Sequence, residues 1–335
     1  METMTNLHIS QHALEQWLYQ MVNSKIEVFA PVHDGEKTDF RLLAFGDKVA
    51  DDYVQTTQSA KRFAFPKAEK LFSYRKEGKD VTLQERDLND FPEIVLWKVR
   101  PCDAAGFAPL TGIFNWDYKD DIYNARRDKI TLVSFSCTRC DEYCFCTSVH
   151  GGPGNTEGSD IQVTELPDRS ALVEILTPKG KSLIERFVQE TTPADGIDKE
   201  TYLASVPVRF KLEQLREKLE GAFDSPIWKQ QSERCLGCGA CAFVCPTCAC
   251  FDIQEDARGS SGSRIRCFSL FTQHTSGHNP RPTQSTRWRQ RILHKFSYMP
   301  DRIDETGCTG CGRCSRACPV DMNIVEHLMS IENHG

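Results

Sequence analysis

Apolar positions along the first two thirds of the chain switch repeatedly between two periods. Leu14, Trp17, Leu18, Met21 and Val22 fall on one stripe at helical spacing, which predicts an amphipathic helix started near Ser10. Strand-like runs, apolar and β-branched, follow at 26–32, 40–45, 94–99, 130–135, 161–166 and 171–176. Mixed helices and strands in this order predict a region built on a central sheet. From 208 to 223 the pattern is helical again, with Phe210, Leu212, Leu215 and Leu219 on one side, and this helix leads toward the next unit. The remainder reads as short helices separated by loops, among them an exposed Ser-Gly loop at 259–263. The expected fold class is therefore α+β: an N-terminal α/β domain with a central sheet over 1–225, then a C-terminal α-helical ferredoxin-like domain over 226–335.

Charge changes at the same place. Up to Ser225 there are 28 basic and 37 acidic residues, and after it 13 and 10, so a net −9 part precedes a net +3 part. The overall charge of −6 gives no general electrostatic footprint for nucleic acid. No apolar run reaches the length of a membrane span, and the N-terminus lacks the basic start, apolar stretch and cleavage site of a secretory signal. A cytoplasmic protein is expected. In such a compartment the 16 cysteines are reduced thiols, and clustered thiols point to metal rather than to disulfides.

Two cysteine groups share one spacing. Cys235, Cys238, Cys241 and Cys245-Pro246 form CxxCxxCxxxCP, and Cys308, Cys311, Cys314 and Cys318-Pro319 repeat it. This is the spacing of bacterial-type ferredoxins, where three cysteines of a run hold one cubane and the fourth crosses to the other. One 4Fe-4S cluster is accordingly expected on Cys235, Cys238, Cys241 and Cys318, and a second on Cys308, Cys311, Cys314 and Cys245. Gly237, Gly239, Gly310 and Gly312 permit the tight turns between the thiols. Paired zinc knuckles would use CxxC steps too, but a four-ligand zinc site does not call for the third cysteine and the CP ending in each run. The 62 residues between Cys245 and Cys308 exceed what a minimal ferredoxin needs, so helices are expected to fill them.

A third group, Cys137, Cys140, Cys144 and Cys146, follows the strand-like run at 130–135, and Cys102 opens a predicted helix in RPCD. Five thiols compete for four positions of a third 4Fe-4S cluster, and a zinc site or buried reduced cysteines would leave the same trace. Cys248, Cys250 and Cys267 lie outside these sets and read as buried thiols near the clusters. The basic stretch Arg281, Arg287, Arg289, Arg291 and Lys295 reads as charge compensation for clusters or as a solvated or docking face. His274, His278 and His294 have no required place as ligands. The glycine-rich turn at 150–154 matches neither the dinucleotide nor the P-loop fingerprint and reads as packing around the third cysteine group.

RPCD at 100–103, CFCTS at 144–148 with GGPG at 151–154, CPTCACFD at 245–252, HNPRP at 278–282 and HKF at 294–296 resemble one family over most of the chain. It is the electron-transfer subunit family that includes the beta subunit of cytosolic sulfhydrogenases and the iron-sulfur electron-transfer subunit of anaerobic sulfite reductase. The resemblance implies third-cluster ligands Cys102, Cys137, Cys144 and Cys146, with Cys140 as a departure from the family pattern. It implies a multi-subunit oxidoreductase in which a neighbouring subunit, similar to the dihydroorotate dehydrogenase electron-transfer type, holds FAD and NAD(P). The present chain would relay single electrons between that flavoprotein and a catalytic subunit, such as a NiFe hydrogenase or a sirohaem sulfite reductase. No catalytic acid, base or nucleophile is expected. The competing expectation is a catalytic subunit that reduces a sulfur species at an N-terminal cluster with an open coordination position.

Overall fold

A computed structural model describes residues 5–255, 261–265, 273–274 and 276–333. Twelve strands are found among them: β1 (Thr5–Ile9), β2 (Glu27–Asp34), β3 (Lys37–Leu42), β4 (Ala68–Glu77), β5 (Asp80–Glu85), β6 (Ile94–Val99), β7 (Ile130–Phe135), β8 (Ile161–Glu165), β9 (Ala171–Ile175), β10 (Thr192–Pro193), β11 (Asp252–Glu255) and β12 (Ser261–Ile265). The large sheet runs in the order β10-β1-β9-β8-β7-β6-β2-β3. Its centre, β2-β6-β7-β8, is parallel, and antiparallel strands flank it on both sides.

The parallel centre explains why 94–99 and 130–135 are apolar almost throughout: both faces are covered, and every residue of β6 and β7 is buried. Val95, Trp97, Val133 and Phe135 meet Trp17 and Met21 of the helix Gln11–Val22, and Leu183 and Ile184 of the helix Pro178–Phe187. Ser10 caps the first of these by accepting the Ala13 N–H, as its position before the apolar stripe predicts. Ile94, Leu96, Ile130 and Leu132 point the other way, onto Phe107, Leu110 and Phe114 of the helix Phe107–Phe114 and onto Tyr123. At the end of β6 a bulge at Lys98, with φ of +60°, shifts the register before the RPCD segment begins.

Beyond Leu212 the chain is mainly helical. Leu212, Leu215 and Leu219, Trp228, Trp288, Ile292, Phe296, Ile324, Val325 and Leu328 form one core, and Phe145 and Val149 from the first region enter it. Of the exposed loop expected at 259–263, positions 259 and 260 lie outside the described residues and the rest is corrected, because Ser261–Ile265 is a strand. Likewise helices do not fill the whole interval after Cys245. β11 and β12 form a hairpin there, and β12 pairs with β4 in a four-stranded sheet β11-β12-β4-β5. The second sheet thus draws strands from both sides of residue 225. Arg264 of β12 is the clamp: it is buried, and its Nε and Nη2 donate to Glu69 Oε2 at 2.9 and 2.7 Å. No helix among the described residues is long and apolar enough to cross a membrane.

Candidate metal centres

The two CxxCxxCxxxCP runs fold on one plan. In each, a glycine turn leads into a four-residue helix, Ala240–Phe243 or Arg313–Arg316, that carries the third cysteine, and the fourth cysteine follows it. Cys235, Cys238 and Cys241 line one cavity together with Cys318 from the other run. Cys314 also borders it, and Trp288, Val320, Met322 and Ile324 supply apolar wall. Backbone N–H groups are aimed at the sulfurs: Gly237 donates to Cys235 Sγ at 3.4 Å and Met322 to Cys318 Sγ at 3.2 Å. Cys238 and Leu236, the latter 64% exposed, bring this end of the molecule to the surface.

Cys245 is not in the lining of that cavity, though it adds to the rise at Cys241. It is buried among Cys308, Cys311 and Cys314, each of which it disfavours as a thiolate. Burial first, and then neighbouring thiols, push Cys308 up to about 12 and Cys311 up to about 11. Such thiols lose their protons to a bound cationic centre, which couples ligation to the fold. Among the described residues no three His, Cys, Asp or Glu side chains converge closely enough to hold one metal ion. All-sulfur donors set around a space, with backbone amides turned toward them, fit the 4Fe-4S group.

The third group is assembled by the sheet. Cys102 stands in the first turn after β6, and Cys137 stands just after β7, its hydrogen-bonded parallel neighbour. Side chains just past the carboxyl ends of adjacent parallel strands are brought together whatever their separation in sequence. Cys144 and Cys146 come from the loop that follows, closed by the glycine-rich turn: the Gly151 N–H donates to the Cys146 carbonyl at 3.0 Å, and the Cys137 N–H donates to that of Pro153 at 2.9 Å. Burial pushes Cys137 up to about 11 and Cys146 up to about 12, with Cys144 adding to both and Cys137 adding to Cys146. Cys102 is raised by burial and, next, by Cys311, with Cys137 adding to it. Cys140 donates its thiol to the Ser205 carbonyl at 3.3 Å and also adds to the rise at Cys137.

The third group is locked to the Cys308–Cys314 loop. The Phe145 N–H donates to the Gly310 carbonyl at 2.9 Å. At Gly310, with φ of +66°, a Cβ would lie 2.4 Å from backbone atoms of Cys146, and at Gly312 it would lie 2.3 Å from the Tyr143 carbonyl oxygen. Only glycine allows this approach.

Sequence reasoning missed the charged groups between the sites. Arg313 is buried and binds Asp103 of the RPCD segment through both nitrogens, at 2.9 and 2.6 Å, with Nη1 3.7 Å from Cys311 Sγ. Arg316 pairs with Asp141 and donates to Cys144 Sγ at 3.5 Å. Gln55 donates to Cys102 Sγ at 2.8 Å. Of the basic stretch, Arg291 and Lys295 are buried at the cysteines, whereas Arg289 lies over Phe223 and Arg287 donates to the Arg281 carbonyl. Nothing in the spacing of Arg313 or Arg316 separates them from surface arginines; only their place inside the second cysteine run hinted at a role.

The remaining sequence candidates fall outside the three proposed ligand sets. Cys248 and Cys250 follow Pro246, and Cys248 shares a side-chain hydrogen bond with Cys245. Cys267 lies outside the described residues. His274 and His278 meet edge to face with ring centroids 5.5 Å apart, and burial pushes His294 down to about 4, which keeps it neutral.

Fold and site together define an iron-sulfur protein: residues 234–322 match the 4Fe-4S dicluster domain family. Over 314 residues the chain is 31% identical to sulfhydrogenase 2 subunit beta of Pyrococcus furiosus, covering 90% of this chain and 91% of that protein. The chain belongs to the sulfhydrogenase beta subunit family. No solved structure matches it.

Proposed function

We propose that the chain is the electron-transfer subunit of a multi-subunit oxidoreductase, with three 4Fe-4S sites in file. The outer site is Cys235, Cys238, Cys241 and Cys318, the middle one is Cys308, Cys311, Cys314 and Cys245, and the inner one is Cys102, Cys137, Cys144 and Cys146. A bound 4Fe-4S cluster supplies one-electron redox chemistry. The protein's part is to space the sites, exclude water and set the field around each.

The observation that carries the reading is the seam between the cysteine groups: the Gly310 carbonyl accepts from the Phe145 N–H, and Cys314 and Cys318 of the second run line the cavity of the first. The surface position of Cys238 and Leu236 supports contact with a redox partner there. By membership in the family, the partners are a subunit carrying FAD and NAD(P) and a catalytic subunit of the hydrogenase or sulfite reductase type. A flavin fits because it splits a two-electron hydride into single electrons. Mutual proximity of Cys137, Cys144 and Cys146, with Cys102 next to Cys137, supports a four-thiol site and so relay over direct reduction of a sulfur species at an open coordination position.

Anaerobic co-purification of a tagged chain from its native host tests this. A flavoprotein and a separate catalytic redox subunit should accompany it. A chain isolated alone that itself turns over a sulfur compound would contradict it.

A further inference from the structure

Lys295 is 2% exposed and sits in the π-helical turn His294–Tyr298, a backbone irregularity that often marks function. Its Nζ lies 3.2 Å from Cys245 Sγ, 3.0 Å from Thr247 Oγ1 and 2.7 Å from the Gly307 carbonyl oxygen. Three acceptors around one nitrogen satisfy the three hydrogens of an ammonium. No salt bridge from it to a carboxylate forms among the described residues, so the thiolate and whatever it ligates supply the negative charge it meets. That distinguishes it from Arg313 and Arg316, which also reach cysteine sulfur but are neutralised by Asp103 and Asp141.

A buried cation hydrogen-bonded to a ligand sulfur stabilises the more negative, reduced state of the group bound there, because low surrounding polarity strengthens charge-assisted bonds. Resting on the proposed function, we infer that Lys295 is a positioning residue for redox potential: its ammonium raises the midpoint of the middle site above the value that site would have without it.

Redox titration of the full chain, purified anaerobically and followed by electron paramagnetic resonance with iron analysis, tests this in Lys295→Met, Lys295→Gln and Lys295→Arg. In K295M and K295Q one signal should become harder to reduce, about tenfold in the reduced-to-oxidised ratio at fixed poise, or ~59 mV for a one-electron couple. The other signals should stay put and iron should be retained. K295R, which keeps the charge, should remain near the wild-type midpoint. Unmoved midpoints with full iron, or loss of iron from both neutral variants, would overturn the inference and leave Lys295 as a structural residue. Absence of iron-sulfur signals from the wild-type chain would instead bring down the proposed function itself.

Discussion

The C-terminal and N-terminal cysteine groups hold the same kind of donor by opposite means. In the C-terminal region, local chain geometry does the work: three thiols per run are set on two glycine turns and a four-residue helix, and Cys318 reaches across to the cavity of the first run. In the N-terminal region the sheet does it. Cys102 and Cys137 are 35 positions apart but follow adjacent parallel strands, and a loop brings Cys144 and Cys146 to them. A site made by short spacing is visible in sequence, whereas a site made by strand neighbourship becomes visible only once the strand order β7-β6 is known.

The seam where the two devices meet is the most sensitive point. Gly310→Ala should have the largest effect, because its Cβ would meet the Cys146 backbone at 2.4 Å and its φ is positive. Soluble yield and iron content should fall together, with destabilisation of ~4 kcal/mol or more. Retention of wild-type iron and melting temperature would show that the two regions do not depend on that contact.

Next in size is Arg313→Met. It leaves Asp103 buried without its partner, at a cost of about 3–5 kcal/mol, measurable by denaturant unfolding. The double variant Arg313→Met with Asp103→Leu should recover much of that loss, since removing both charges is far less costly than removing one.

Cys137→Ser and Cys238→Ser sharpen the comparison directly. Each should remove roughly four iron per chain, one cubane's content. The C-terminal set should survive C137S and the N-terminal set should survive C238S. Cys140→Ser should have the smallest effect, within about 0.5 kcal/mol in stability and without loss of iron, because its thiol bonds to the Ser205 carbonyl at a half-exposed position.

Legibility of the sequence followed the same division. The buried parallel strands 94–99 and 130–135 were readable to the residue because full burial on both faces leaves an unbroken apolar run. The strand Ser261–Ile265 was hidden: its Ser and Gly residues speak for a turn, and it is held by pairing with β4 and by the Arg264 clamp to Glu69, which are tertiary effects. β4 and β5 were overlooked for a related reason, since their mixed Lys, Glu and Arg composition reflects an exposed hairpin with little apolar alternation. The twelve cysteines proposed as ligands were all named from sequence, the C-terminal eight by spacing and the inner four by resemblance to a family. Lys295 stood in the basic stretch and in the HKF motif, without a role of its own. Its burial against Cys245 depends on the π-helical turn, which no local pattern announced.

The central claim is that three cysteine sets hold redox-active iron-sulfur groups in one continuous file. The most direct measurement is iron and acid-labile sulfide per chain on anaerobically purified protein, with a paramagnetic spectrum after dithionite reduction. Roughly twelve iron with matching sulfide, and interacting signals from reduced clusters, are predicted. Stoichiometric zinc without labile sulfide, or a colourless and spectroscopically silent chain, would contradict it.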